Sequence, residues 1–168
     1  IDNNLARYCY KKWHYLKAQK FISTINFGVF TNGNLWGCIS YGAPNAKVLK
    51  GYWTPSTQEG WFEIKRFAVS DFLPKNSESR IIAISIKLLK KIFSIKGIVT
   101  YADNDYGHIG TIYKASGFKY LGLTGKKSDF YLENSDTPIQ RGKIKHLKGQ
   151  WKPRSQKHLF MKQEKSSV

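Results

Sequence analysis

Cysteine is nearly missing from this chain of 168 residues: only Cys9 and Cys38 are present. Two thiols build neither a disulfide framework nor, on their own, a zinc site. A reducing cytoplasm is therefore the expected compartment, and both cysteines read as ordinary thiols. Acids are scarce too, 11 against 28 lysines and arginines, which leaves a formal net charge of +17. No apolar run approaches the ~18 residues of a membrane span, so no membrane partner is expected. No heptad, collagen-like or longer internal period is present. The first residue is Ile1 rather than methionine, which leaves open a short preceding piece. Nothing in the opening residues reads as a signal peptide. What is abundant is aromatic: Trp 5, Tyr 10 and Phe 10 within a 41% hydrophobic composition. That excludes disorder despite the charge. One domain over 1–168, large enough for a real core, is the expectation.

The charge is uneven. Residues 1–20 hold five cations and one acid, 21–125 twelve and six, and 126–168 eleven and four. The last stretch, a basic extension from about 126 to 168, interleaves its cations with Phe130, Tyr131, Trp151 and Phe160. Cations for phosphates and rings for stacking suit a nucleic-acid surface. A lysine-rich surface kept only for solubility is the plainer alternative, but this charge exceeds what solubility needs.

Hydropathy patterning predicts a short helix or loop over 3–20 and a strand over 21–30. The Asn32-Gly33 pair predicts a hairpin into a strand over 34–42. Residues 42–58 are loop-like, with Pro44, Gly51 and Pro55. Residues 61–69 alternate as a strand. In a regular strand, Arg66 and Glu63 face opposite ways. A loop over 71–78 precedes a helix from about Ser79 to Phe93, capped by Ser77 or Ser79. Its apolar stripe is Ile81, Ile82, Ser85, Leu88, Leu89, Ile92 and Phe93. Residues 96–102 read as a buried strand, 107–116 as a helix ended by Gly117, and 118–123 as a strand. Short strand-like pieces follow, closing on 157–162. Strand–helix–strand at this spacing predicts an α/β domain whose parallel or mixed sheet is flanked by crossover helices.

That order, ending in Ile112-Tyr113-Lys114-Ala115-Ser116-Gly117-Phe118, resembles a GNAT acyltransferase. The resemblance implies a pyrophosphate loop at a helix N-terminus and an acyl cleft between splayed strands. It also implies Tyr113 as the acid that protonates a leaving thiolate; the alternative is a core tyrosine with a satisfied hydroxyl. A closer resemblance, to the Mom family of bacteriophage DNA modification proteins, rests on several short segments. They are His14-Tyr15, Glu63-Ile64-Lys65-Arg66-Phe67-Ala68, and Pro74-Lys75-Asn76-Ser77-Glu78-Ser79-Arg80. Tyr101-Ala102-Asp103, Gly107-His108-Ile109-Gly110-Thr111-Ile112-Tyr113 and Arg154-Ser155-Gln156-Lys157-His158 complete the set. It covers most of residues 12–162.

The Mom resemblance implies conversion of adenine in DNA to N6-(carbamoylmethyl)adenine, in the cytoplasm of an infected bacterial host, shielding phage DNA from restriction. It implies acetyl-CoA as ligand and iron as metal. His14 and Tyr15 become metal ligands; their alternative is an aromatic surface beside Trp13. Arg66 becomes a cleft guanidinium for phosphate; its alternative is an ion pair. Asp103, at a strand's C-terminal end, becomes a metal ligand or proton acceptor; its alternative is a cap, since Asn104-Asp105-Tyr106-Gly107 is turn chemistry. Lys75, Asn76, Ser77, Ser79 and Arg80 take the pyrophosphate position without the glycine that lets backbone approach phosphate; Lys75 and Arg80 compensate in charge. His108 reads as a site member or a surface histidine, and His146 and His158 as DNA contacts or solvent-exposed. Adenine N6 is engaged in pairing, so an enzyme acting there flips the base out of double-stranded DNA or works on single strands. Trp13, Tyr15, Trp53 and Trp61 are candidate stacking surfaces, with core packing the default for Trp61. Two other functions fit the composition: a conventional N-acetyltransferase acting on a protein or small amine, and a non-catalytic nucleic-acid-binding module.

Overall fold

A computed structural model describes residues 1–15, 17, 23–44, 59–132, 138–139, 148–154 and 156–164. Most of the 42–58 loop, Trp53, His146 and Ser155 lie outside the described residues. Residues 3–20, expected as helix or loop, form helix α1 (Asn3–Trp13). Asp2 caps it, its carboxylate accepting from Leu5 N at 2.8 Å. Lys11 and Lys12 complement the helix dipole in the last turn. Ala6, Cys9 and Tyr10 are buried along one side. Strands β1 (Ile25–Thr31) and β2 (Asn34–Gly42) form an antiparallel hairpin. Asn32 and Gly33 both take positive φ there, 51° and 76°, as a two-residue hairpin turn requires.

Strand β3 (Trp61–Val69) pairs antiparallel with β2. Helix α2 (Ser77–Ile92) then carries the chain to β4 (Gly97–Ala102), parallel to β3. A 3-10 turn (Asn104–Tyr106) and the short helix α3 (Thr111–Ala115) lead to β5 (Lys119–Leu123). Strands β6 (Lys127–Leu132), β7 (Pro138–Ile139) and β8 (Gly149–Arg154) make a separate three-stranded sheet in the order β7-β6-β8. Strand β9 (His158–Gln163) returns to the main sheet, whose order is β1-β2-β3-β4-β9-β5. The expected closing strand thus wedges between β4 and β5, antiparallel to both.

One sheet face is covered by α2 and α3. Ile39, Tyr41, Ile64 and Ile98 pack there with Ile82, Ile86 and Leu89, joined by Tyr113, Phe118 and Phe160. On the other face α1 closes over Cys38 and Ala68. Trp61 packs with Val99 and Met161, the core role that was its default. Cys9 and Cys38 are both fully buried free thiols.

Four local expectations are corrected. α2 begins at Ser77 and is flanked by Asn76 in the left-handed region (φ 68°), with no side-chain cap. Ser79 Oγ instead donates to the Asn76 carbonyl at 3.1 Å. Of the α2 stripe, Leu88, Ile92 and Phe93 are exposed, because only the Ile82–Ser85–Ile86–Leu89 side meets the sheet. The helix expected over 107–116 shrinks to Thr111–Ala115, since Gly107 and Gly110 adopt φ of 69° and 77° and break it. Finally, β3 is not regular. Ser40 opposes Arg66 while Tyr41 opposes Ile64, so Lys65 is an extra residue in a β-bulge. The bulge resets the alternation: Glu63 ion-pairs with Lys65 at 2.8 Å, and Arg66 turns toward α1.

Gly110 shows why a glycine is needed: a Cβ there would run into the Phe160 ring, on top of the positive φ. Gly110→Ala is expected to destabilise by about 2–4 kcal/mol, from overpacking and left-handed strain together. Urea unfolding reads this; a midpoint unchanged from the parent would refute it.

Candidate active site

The parallel ladder between β3 and β4 holds for three pairs only, Trp61↔Gly97, Phe62↔Ile98 and Glu63↔Val99. Beyond it β3 continues to Val69 and β4 to Ala102, so the two strands part. Ligands of open α/β sheets collect at the carboxyl ends of such strands.

Residues from four segments meet there. Tyr10 anchors α1: its hydroxyl donates to Ser40 Oγ (2.6 Å) with the Arg66 carbonyl also within reach (3.1 Å), and Ser40 passes its proton toward Asn26 Oδ1 (2.5 Å). That anchor delivers His14, the C-cap of α1, to β3. Arg66 Nη1 lies 3.5 Å from His14 Nδ1. A guanidinium only donates, so Nδ1 accepts and the neutral ring carries its proton on Nε2. Burial, then the charges of Arg66, His108 and Lys157, lower His14 to about 4. His14 stacks on Tyr15 (centroids 4.3 Å, 26°). Tyr15 in turn packs against Tyr106 (4.3 Å) and His108 (4.9 Å). Both tyrosines are exposed on their outer sides, Tyr15 at 40%.

Asp103 follows β4 directly and is 6% exposed. It does cap the following turn, Oδ1 accepting from Asp105 N at 3.4 Å, and its carbonyl accepts from Tyr106 and His108 N–H groups. Its Oδ2 accepts from Lys157 Nζ at 2.5 Å. Its charge, after burial, helps push Tyr15 up to about 12.

His14, Tyr15, Arg66 and Asp103 therefore form one cluster. Tyr113 sits in the main core against Phe118 and Phe160, buried, with its phenol pushed up by desolvation and opposed by Thr100. Lys75, Asn76, Ser77, Ser79 and Arg80 occupy a different place, the turn into α2. Two site residues escaped the sequence reading as such, Tyr106 and Lys157, the latter inside a segment of the Mom resemblance; His108 was weighed and left open. Their signals were turn chemistry, a basic tail and a helix start.

Two ligands can be tested against these residues. Iron finds no ready ligand set here: His14 Nδ1 faces Arg66 Nη1, and Asp103 is tied to Lys157. Among the described residues no three His, Cys, Asp or Glu side chains gather. A CoA pyrophosphate fits better. Asn76 supplies the left-handed turn that glycine usually provides. The sixteen-residue α2 starts there with Lys75 and Arg80 exposed on either side, Glu78 being the acid of its first turn.

Of the proposed stacking residues, Trp13 is half-buried against α1's packing cluster and carries Lys12 over its ring at 4.8 Å. Trp61 is core. His158 opens β9, its Nδ1 3.1 Å from the Tyr120 hydroxyl. No helix among the described residues is long and apolar enough to cross a membrane.

A family model described as the Mom protein family matches residues 1–167. A methylcarbamoylase named mom, from Escherichia phage Mu, is 30% identical over 129 residues, covering 76% of this chain. The chain spans about half, 53%, of that relative's length. Among solved structures, a Bacillus subtilis acetyltransferase in complex with CoA superposes with a TM-score of 0.50 at 17% identity, covering 83% of this chain and 76% of its own. A GNAT family acetyltransferase from Elizabethkingia anophelis with acetyl-CoA bound gives 0.49 at 18% identity, over 83% and 75%. The fold is that of GNAT acetyltransferases.

Proposed function

The chain belongs to the Mom protein family, and from that premise we propose that it is a transferase that converts adenine in phage DNA to N6-(carbamoylmethyl)adenine, protecting that DNA from host restriction. The observation that carries the reading is the gathering of His14, Tyr15, Arg66 and Asp103 at the parting of β3 and β4. These groups come from α1, β3 and the end of β4, and nothing in core packing requires them to meet.

In this reading Tyr15 and Tyr106 offer a flipped adenine a stacking face. Asp103 accepts a proton from the adenine N6 amino group. Arg66 supplies a fixed positive charge for an anionic group of the donor, while neutral His14 offers Nε2–H as a donor. Lys75, Asn76, Ser77, Ser79 and Arg80 hold the pyrophosphate of an acetyl-CoA-like ligand.

The duplex is held by the outer face of α1. Arg7, Tyr8, Lys11 and Lys12 are exposed on it, and the helix runs straight to His14 and Tyr15. Changing Arg7, Lys11 and Lys12 together to glutamine is expected to weaken binding to all DNA sequences alike. The log–log salt slope should shrink by about 2–3. An unchanged slope would move the duplex elsewhere.

The function itself is tested by expressing the protein in bacteria, digesting their DNA to nucleosides and weighing them by mass spectrometry. A deoxyadenosine heavier by one carbamoylmethyl group supports the proposal. Unmodified DNA beside abundant soluble protein refutes it, and acetyl-CoA turnover with amines would then identify an ordinary acetyltransferase.

A further inference from the structure

Lys157 falls in the Arg154–His158 segment of the Mom resemblance, but nothing in that segment gives it a role of its own. It lies in the basic extension, among cations suited to DNA phosphates. Yet its ammonium is turned inward, 2.5 Å from Asp103 Oδ2, and the residue is only partly exposed. The register explains how. Strand β9 pairs with β4 so that His158 opposes Ala102. One step further along the same antiparallel ladder, Lys157 opposes Asp103.

The position is also fixed from the other side. Lys157 N donates to Thr124 Oγ1 (2.9 Å), and its carbonyl accepts from Thr124 N (2.8 Å). The neighbouring Gln156 Nε2 donates to the Thr124 carbonyl (2.5 Å). The end of β5 thus clamps the start of β9. The turn after β4 does not need this arrangement. Its capping contact, Asp105 N to Asp103 Oδ1, is long at 3.4 Å, and an asparagine would serve as well. Lys157 answers the negative charge, and the charge answers the chemistry.

We propose that Lys157 is the positioning residue of Asp103: the clamped start of β9 holds its ammonium against one carboxylate oxygen and so fixes the carboxylate beside Tyr15. The proposal rests on the adenine-modifying reading above, in which Asp103 touches the N6 proton. Lys157 itself touches no reacting atom. It is a cation of the basic tail that serves the site and not the DNA backbone.

The experiment compares Lys157→Met, Lys157→Gln and Lys157→Arg with the parent. Modified deoxyadenosine is followed from the moment of induction and divided by folded protein, and DNA affinity is measured against salt with purified proteins. The expected result is a fall of about 100-fold in rate for the Met and Gln variants. Arginine should restore most of it, and affinity and salt slope should stay at the parent's values. A lower melting temperature with an unchanged rate per folded protein would make the pair merely structural and overturn the proposal. A smaller salt slope with weaker binding would make Lys157 a phosphate contact and overturn it as well. Parent-like activity in the Met variant overturns it while leaving the adenine-modifying reading intact. A parent that modifies no DNA overturns both together.

Discussion

Asp103→Asn is expected to remove about 10²–10⁴-fold of the modified deoxyadenosine that the parent produces, the range that a positioned proton acceptor contributes. Asparagine keeps the carbonyl oxygen that caps the turn after β4, so Asp105 N still finds an acceptor. It is also nearly the same size, so a residue with 6% exposure stays packed. What it loses is the charge and the basic lone pairs. Lys157 is then left beside a neutral amide, but with a quarter of its side chain exposed it can turn toward water. The melting temperature should therefore change far less than the activity. Equal losses of both would show that the carboxylate is structural. A fully active variant would remove Asp103 from the chemistry. Arg66→Lys tests the neighbouring charge: a compact ammonium replaces a planar fork, and the His14 Nδ1 contact at 3.5 Å has no equivalent donor at that reach.

Most of the fold was legible in local patterning because it is built from local signals. The Asn32-Gly33 turn, the alternation of 61–69 and the helical period after residue 77 each depend on a few neighbouring residues. The departures came where distant contacts overrule that patterning. Leu88 and Ile92 repeat at helical spacing, yet only one side of α2 meets the sheet, so both stay exposed. The Lys65 bulge is invisible in the alternation of β3 and appears only in its pairing with β2. It matters, because it swings Arg66 onto the α1 side and so onto His14. The site divides in the same way. His14, Tyr15, Arg66 and Asp103 were singled out through the Mom resemblance, Asp103 also by its place at a strand's C-terminal end. Lys157, 54 residues from Asp103, is joined to it only by the register of β9. Tyr106 looked like turn chemistry and is, but the same turn lays its ring against Tyr15.

The state of His14 has a consequence for the stability of the whole domain. Its folded pKa, lowered to about 4 mainly by burial, lies below the 6.5 of an unfolded histidine. Between those values the unfolded chain binds a proton that the folded protein refuses. Stability is therefore fully present above pH 6.5 and is lost as pH falls toward 4, by about 3 kcal/mol at most for this one group. The test is a difference between the parent and a variant with nothing to titrate at this position. His14→Asn keeps an oxygen near the Nδ1 position to accept from Arg66 but has nothing to titrate. It forfeits the stacking on Tyr15, a cost that does not depend on pH. Urea unfolding at pH 7 and at pH 4.5 should show the variant less stable at neutral pH and the gap closing, or reversing, in acid. Parallel losses in the two proteins would mean that His14 accepts a proton in the folded state as readily as in the unfolded one. The contact with Arg66 would then have to break in acid. If the contact holds, a buried imidazole facing a guanidinium stays neutral at neutral pH.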